Sequence, residues 1–132
     1  MSNYEKFYIN GQWVAPEPGS STFDVIHPGN EEVIATIAMG TKADVDKAVA
    51  AAQEAFKTFQ FATVEDRVDL LERILKAYEG REEEFVRMMP HEMGTTMSFS
   101  REVHQPVGVG HLEAALEALQ AHEFERPSLR GG

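Results

Sequence analysis

Two threonines, each followed by an aspartate three residues later, divide this chain into a part that can pair as strands and a part that must coil. Thr41 with Asp44 and Thr63 with Asp66 are helix starts. In each, the hydroxyl caps a backbone donor and the acid lies at the positive end of the helix. After Thr41, the residues Val45, Ala48, Val49, Ala52, Phe56 and Phe59 recur at helical spacing, while Lys42, Asp46, Gln53 and Lys57 face away. After Thr63, a second stripe runs through Val64, Val68, Leu71, Leu75 and Tyr78, with Gly80 as its C′ residue.

Everything before Thr41 reads as strand and turn. Residues 6–9 and 12–15 flank Asn10-Gly11, a two-residue hairpin turn that needs positive φ at both central positions. The stretch from Pro16 to Ser21 is a loop, 22–26 is a strand ended by His27-Pro28-Gly29-Asn30, and 32–38 returns antiparallel against it before Gly40. Further helices are expected over 81–89, cut short by Pro90, over 95–103, and over 111–120, where Leu112, Ala115, Leu116 and Leu119 make an apolar face. Pro106, Gly108 and Gly110 are expected to interrupt the chain between the last two, and 125–132 to be a loop. Strands at about 6–38 precede helices at about 41–122 without βαβ alternation, so the fold class is α+β.

At 132 residues the chain is one domain or part of one. Twelve basic residues against 22 acidic ones give a net charge of −10, which repels phosphate backbones and anionic lipid and so argues against nucleic acid or membrane partners. The absence of cysteine removes disulfides, cysteine zinc sites and thiol catalysis together. Neither a basic segment nor an apolar run opens the chain, and no stretch reaches the ~20 apolar residues of a spanning helix, so a cytoplasmic protein is expected.

The motifs that suggest chemistry fail on their own terms. Gly108-Val109-Gly110 precedes a helix, but a dinucleotide fingerprint needs glycine at 113, where glutamate stands, so a helix-breaking loop is the better reading. His91-Glu92 opens like a zincin helix, yet Thr95 occupies the place of the second histidine. Glu82-Glu83-Glu84 reads as a solvated run at a helix start, and Trp13 with Phe56, Phe59 and Phe61 as packing rather than a ligand patch. Leu129-Arg130-Gly131-Gly132 resembles the tail of ubiquitin-like modifiers, but the helix at 111–120 is unlike the strand that precedes such a tail.

A family resemblance runs through the motifs in order. Tyr8-Ile9-Asn10-Gly11-Gln12-Trp13-Val14, Phe23-Asp24-Val25-Ile26-His27-Pro28, Glu32-Val33-Ile34-Ala35-Thr36-Ile37 and Ala43-Asp44-Val45-Asp46-Lys47-Ala48 resemble the opening of NAD(P)-dependent aldehyde dehydrogenases. Glu65-Asp66-Arg67 is similar to that family's Glu-x-Arg helix and Glu92-Met93-Gly94 to its Glu-x-Gly turn. The likeness spans about Tyr8 to Glu125, with departures at His27-Pro28-Gly29, Thr95-Thr96, Pro90 and Pro106.

The resemblance implies an amino-terminal part of an NAD(P)-binding domain, from an enzyme that oxidises an aldehyde to a carboxylic acid. There a cysteine thiolate attacks the aldehyde, hydride passes to NAD or NADP, and water releases the acid. It implies a homo-oligomer when whole, and it assigns no catalytic and no cofactor-binding residue to this chain, which alone is expected to be inactive. It also implies a monovalent cation held by the backbone carbonyls of Val25 and Ile26 and the carboxylate of Glu92, an oxygen shell suited to a hard cation. The alternative from another class is a small non-enzymatic helical module that binds a protein partner through its apolar stripes.

Overall fold

The structure is a computed structural model and describes residues 2–125. The Leu129-Arg130-Gly131-Gly132 tail lies outside the described residues. Strand β1 (Ser2–Tyr4) is followed by a hairpin of β2 (Phe7–Ile9) and β3 (Gln12–Val14), then by β4 (Ser21–Ile26) and β5 (Val33–Met39). Helices α1 (Lys42–Phe59), α2 (Val64–Glu79) and α3 (Glu82–Met93) come next. A short α4 (Met97–Phe99) leads through a π-helical turn (Ser100–His104) into α5 (Gln105–Ala121). Strands precede helices, so the α+β order holds.

The hairpin pairs Phe7 with Val14 and Ile9 with Gln12, and Asn10 and Gly11 take φ of 52° and 75° as a two-residue turn of this kind requires. β4 runs antiparallel to β5, with Ser21 opposite Met39 and Ile26 opposite Val33. β1 adds a third, parallel strand on the far edge of β5, Ser2 opposite Ala35 and Tyr4 opposite Ile37. Sequence reading misses β1, because three polar-to-aromatic residues carry no periodic signal and only the neighbour defines them.

Both expected helix starts are capping boxes. Thr41 and Thr63 each accept from the amide of the aspartate three residues on, and that aspartate accepts from the threonine's amide in return. Gly80 ends α2 with φ −63°, right-handed rather than the left-handed C′ geometry expected of it, because the chain turns straight into α3. Pro90 does not end α3. It lies in the last turn, where it forfeits one hydrogen bond, and the helix runs on to Met93 before Gly94 closes it at φ 69°.

The region from 95 to 121 differs most from expectation. Thr96 caps α4 through the Phe99 amide, and the helical path then continues through the π-turn into α5 without a break. Pro106 is the second residue of α5, directly after the π-turn, and the helix runs on past it, so neither it nor Gly108 and Gly110 interrupts the chain.

α2 packs on α5, and α3 on the π-turn. Tyr78 stacks on Phe85 with ring centroids 4.5 Å apart. Val86 and Ser100 are fully buried, and Val86 and Ala35 are the only buried apolar residues among those described. The accessible surface is 10202 Å². A self-contained monomer of 14.7 kDa exposes about 7,000 Å², so a large apolar area here lacks cover.

Candidate functional site

The turn after β4 is docked on the carboxyl end of α3. His27 donates its amide to the Glu32 carbonyl and accepts from Glu31 at its own carbonyl, both at 2.9 Å. The Gly29 amide donates to His27 Nδ1 at 2.9 Å, and a Cβ at Gly29 would lie 3.0 Å from His27 Cε1, so a side chain there would press on the His27 ring. Pro28 reaches Gly94, where a Cβ would come within 3.0 Å of Pro28 Cγ. Positive φ and close approach both require glycine at Gly94. The rings of His27 and His91 lie 5.8 Å apart across the same junction.

The three residues of the expected cation site gather around this junction. Val25 and Ile26 end β4, opposite Ala35 and Val33, and the ladder is irregular between the two of them. The extra residue is Ile34 on β5, so it is β5, not β4, that carries the unpaired position there. Glu92 lines an open groove with Val33, Ile34, Ala35, Arg87 and His91, and its carboxylate makes no hydrogen bond or ion pair among the described residues. No group of three or more acidic, histidine or cysteine side chains stands ready to hold a metal among the described residues.

Gly108-Val109-Gly110 is not a loop but part of α5. Helical residues precede it, so no free helix amino end faces outward there, and the anion-binding geometry of such an end is missing. A methyl group on Gly108 would overlap the Tyr78 hydroxyl, which itself lies 3.5 Å from the Gln105 carbonyl oxygen. Gly108 lets α2 approach α5. These residues do not fit a dinucleotide.

Polar clamps fix the frame around these points. Asp44 is buried and accepts from the Glu17 amide at 2.9 Å, from the Thr41 amide at 2.7 Å and from the Thr41 hydroxyl at 2.7 Å. The Thr41 hydroxyl, then the Thr41 amide, hold its carboxyl below the ordinary carboxylate value against the opposing effect of burial, helped by Glu17 and Lys47. Lys47 also pairs with Glu17, so the loop before β4 is tied to α1 twice. Arg101 of the π-turn grips Glu83 with both guanidinium nitrogens and approaches Glu82 at 3.7 Å, while Arg81 pairs with Glu84. The acidic run is therefore more than a solvated face, because it joins α3 to the π-turn. Its partner lies 18 residues away, beyond the reach of sequence spacing. Arg67 Nε and His104 Nδ1 are buried without a hydrogen-bond partner among the described residues.

The profile of the aldehyde dehydrogenase family matches residues 13–130. A Staphylococcus aureus protein provisionally named an aldehyde dehydrogenase is 45% identical over 125 residues, covering 95% of this chain and 26% of that protein. The crystal structure of an aldehyde dehydrogenase from Bartonella henselae superposes with a TM-score of 0.93 at 32% identity, covering 100% of this chain and 28% of that one. Aldehyde dehydrogenase C of Pseudomonas syringae, a mutant solved with NAD+ and octanal, gives 0.86 at 36% identity over 94% of this chain and 25% of its own. The chain thus spans about a quarter of the length of the relatives it matches.

Proposed function

The chain belongs to the aldehyde dehydrogenase family, and we propose that it is the amino-terminal scaffold of an NAD(P)-dependent member, the first part of its cofactor-binding domain. The observation that carries this reading is the uncovered apolar surface, at 10202 Å² of total exposure, on a segment matching a quarter of its relatives. The whole enzyme oxidises an aldehyde to a carboxylic acid with NAD or NADP. The octanal and NAD+ bound to the Pseudomonas syringae relative support that substrate and cofactor class. No reacting group comes from these residues, since the chain holds no cysteine and Gly108 and Gly110 lie within α5, Gly108 packed against Tyr78.

The same reading carries a cytoplasmic homo-oligomer. Its acidic balance supports the exclusion of nucleic acid and anionic membrane as partners. Among the described residues no helix is long and apolar enough to cross a membrane. The carbonyls of Val25 and Ile26 and the carboxylate of Glu92 form its monovalent cation site, a reading supported by the docking of α3 beside the turn that ends β4.

Reading the coding sequence past Gly132 tests the proposal. An open frame encoding a cysteine-bearing dehydrogenase supports it. A stop codon, with a monomeric chain that melts cooperatively, overturns it in favour of the helical interaction module. The 132-residue chain incubated with aldehyde and NAD or NADP should form no reduced nicotinamide, and turnover that survives repurification would contradict the assignment. Potassium should raise the melting temperature of the parent chain and not of Glu92→Gln; an equal response in both removes Glu92 from the cation site.

A further inference from the structure

The hairpin turn carries a chemistry of its own. Of the asparagines Asn3, Asn10 and Asn30, only Asn10 is followed by glycine. Asn10 and Gly11 are both exposed, and nothing lies within 4 Å of where a Gly11 Cβ would stand. The Asn10 side-chain amide makes no hydrogen bond among the described residues. Its carbon is open to the backbone nitrogen of the next residue, and glycine hinders that nitrogen least. We propose that Asn10 is a site of self-modification, converted through a cyclic imide with Gly11 to aspartate and isoaspartate, and that the closed hairpin restrains the conversion.

The reaction needs only water. The Gly11 amide gives its proton to solvent base, and its nitrogen bonds to Asn10 Cγ. The Cγ–Nδ2 bond then breaks, and the leaving nitrogen takes a proton from solvent and departs as ammonia. Water opens the five-membered imide in one of two ways. Attack at Cγ breaks the new bond and gives aspartate; attack at the main-chain carbonyl breaks the old peptide bond and gives isoaspartate. Nothing is oxidised or reduced.

The turn geometry opposes the first step. Ring closure requires the Gly11 nitrogen to lie on the same side of the Asn10 Cα–C bond as Cβ. The φ values of 52° and 75° are those of a type I′ turn, whose first central residue takes ψ of about +30°. That angle swings the nitrogen to the side away from Cβ, so the closed turn keeps the reacting atoms apart. The hairpin must open first. It is a sheet of its own, three residue pairs long, and such two-stranded pairs are marginal in water. Phe7 anchors its foot beside Gly40, at the end away from the turn. Nearer the turn the strands are clasped by the Tyr8 and Trp13 rings, with centroids 5.3 Å apart and both rings exposed.

The two products differ in consequence. Aspartate adds one negative charge and leaves the turn its length. Isoaspartate inserts an extra backbone atom, so a two-residue turn can no longer set Ile9 opposite Gln12 in the same register.

Peptide mass spectrometry of the whole chain, aged in buffers from neutral to mildly alkaline pH, reads amide-to-acid conversion at each asparagine. Position 10 should convert at least tenfold faster than positions 3 and 30, and faster as hydroxide rises. A methyltransferase specific for isoaspartyl carboxylates should label position 10 of the aged chain from S-adenosylmethionine. In guanidinium chloride the parent and Trp13→Ala should convert at one rate, at least tenfold above that of the parent in buffer. In buffer Trp13→Ala should fall between those limits. Equal conversion at the three asparagines, or none at position 10, would overturn the site. One rate for the parent in buffer and in denaturant would overturn the restraint by the hairpin.

Discussion

Helices α1 and α2 begin with the same capping box, at Thr41 with Asp44 and at Thr63 with Asp66, and both carry an apolar stripe. Their surroundings differ. α2 lies on α5, with Tyr78 seated over Gly108, and Ile74 is its one large apolar residue counted as exposed. α1 touches the hairpin and the loop through Asp44 and Lys47 but leaves its valines and phenylalanines open. A helix start is decided within one turn, by a hydroxyl and a carboxylate at fixed offsets. The cover of a stripe is decided by whatever element arrives against it, and nothing in the stripe itself says whether one does.

The sharpest way to break this comparison is to change bulk on each helix. Gly108→Ala drives a methyl group into the Tyr78 hydroxyl and should cost about 1–3 kcal/mol, the usual loss for overpacking. Pairing it with Tyr78→Ala should give a cost smaller than the sum of the two single changes. Phe56→Ala would cost about 3–5 kcal/mol in a core, but on the open face of α1 it should stay within about 0.5 kcal/mol. Denaturant melts followed by helical dichroism measure all three. Equal losses at Gly108 and Phe56 would show that α1 is covered after all.

The caps come next. Thr63→Ala should cost about 1 kcal/mol, the ordinary value of a lost cap. Thr41→Ala should cost more, because it also strips the buried Asp44 of the partner that does most to keep it charged. If the two are equal in the same melts, the knot between α1 and the loop contributes nothing beyond its cap.

Acid should separate the regions by degree. The carboxyl of Asp44 has its folded value below the unfolded one, so its contribution is whole above the ordinary carboxylate range and fades as pH falls through the folded value. Glu83 beside Arg101 and Glu84 beside Arg81 are lowered in the same direction. Acidification should therefore release the loop from α1 and the π-turn from α3 before it disturbs the apolar contact of α2 with α5. Amide exchange at Glu17 against that at Tyr78 follows the order of events, and Asp44→Asn should flatten the response at Glu17. The smallest effect belongs to the exposed pair of Lys42 with Asp46, where Lys42→Ala should change stability by no more than about 0.5 kcal/mol.

Much of the local structure was legible in the residues. The Asn10-Gly11 turn, the antiparallel return of β5 on β4 and both capping boxes follow from contacts between near neighbours, and they stand where expected. The errors concern residues whose effect depends on context. Pro90 and Pro106 look like breaks, but Pro90 lies in the last turn of α3 and Pro106 directly after the π-turn, and each helix runs on past its proline. Gly108 and Gly110 look like a loop until Tyr78 shows that at Gly108 the missing side chain is what α2 needs.

At the candidate site the division is the same. Sequence could name Val25, Ile26 and Glu92 through a family likeness, but not the junction around them. His27 with His91 and Pro28 with Gly94 are more than sixty positions apart. The sequence alone settled that strands precede helices, the starts of α1 and α2, the hairpin and the absence of a thiol, all consequences of chemistry within a few residues or of composition. The tertiary structure alone decided that β1 joins β5, that the glycine pair lies inside a helix, that Arg101 holds Glu83, and that α1 stays uncovered. Each of these depends on surfaces meeting across long stretches of chain, and no local pattern encodes which surface will arrive.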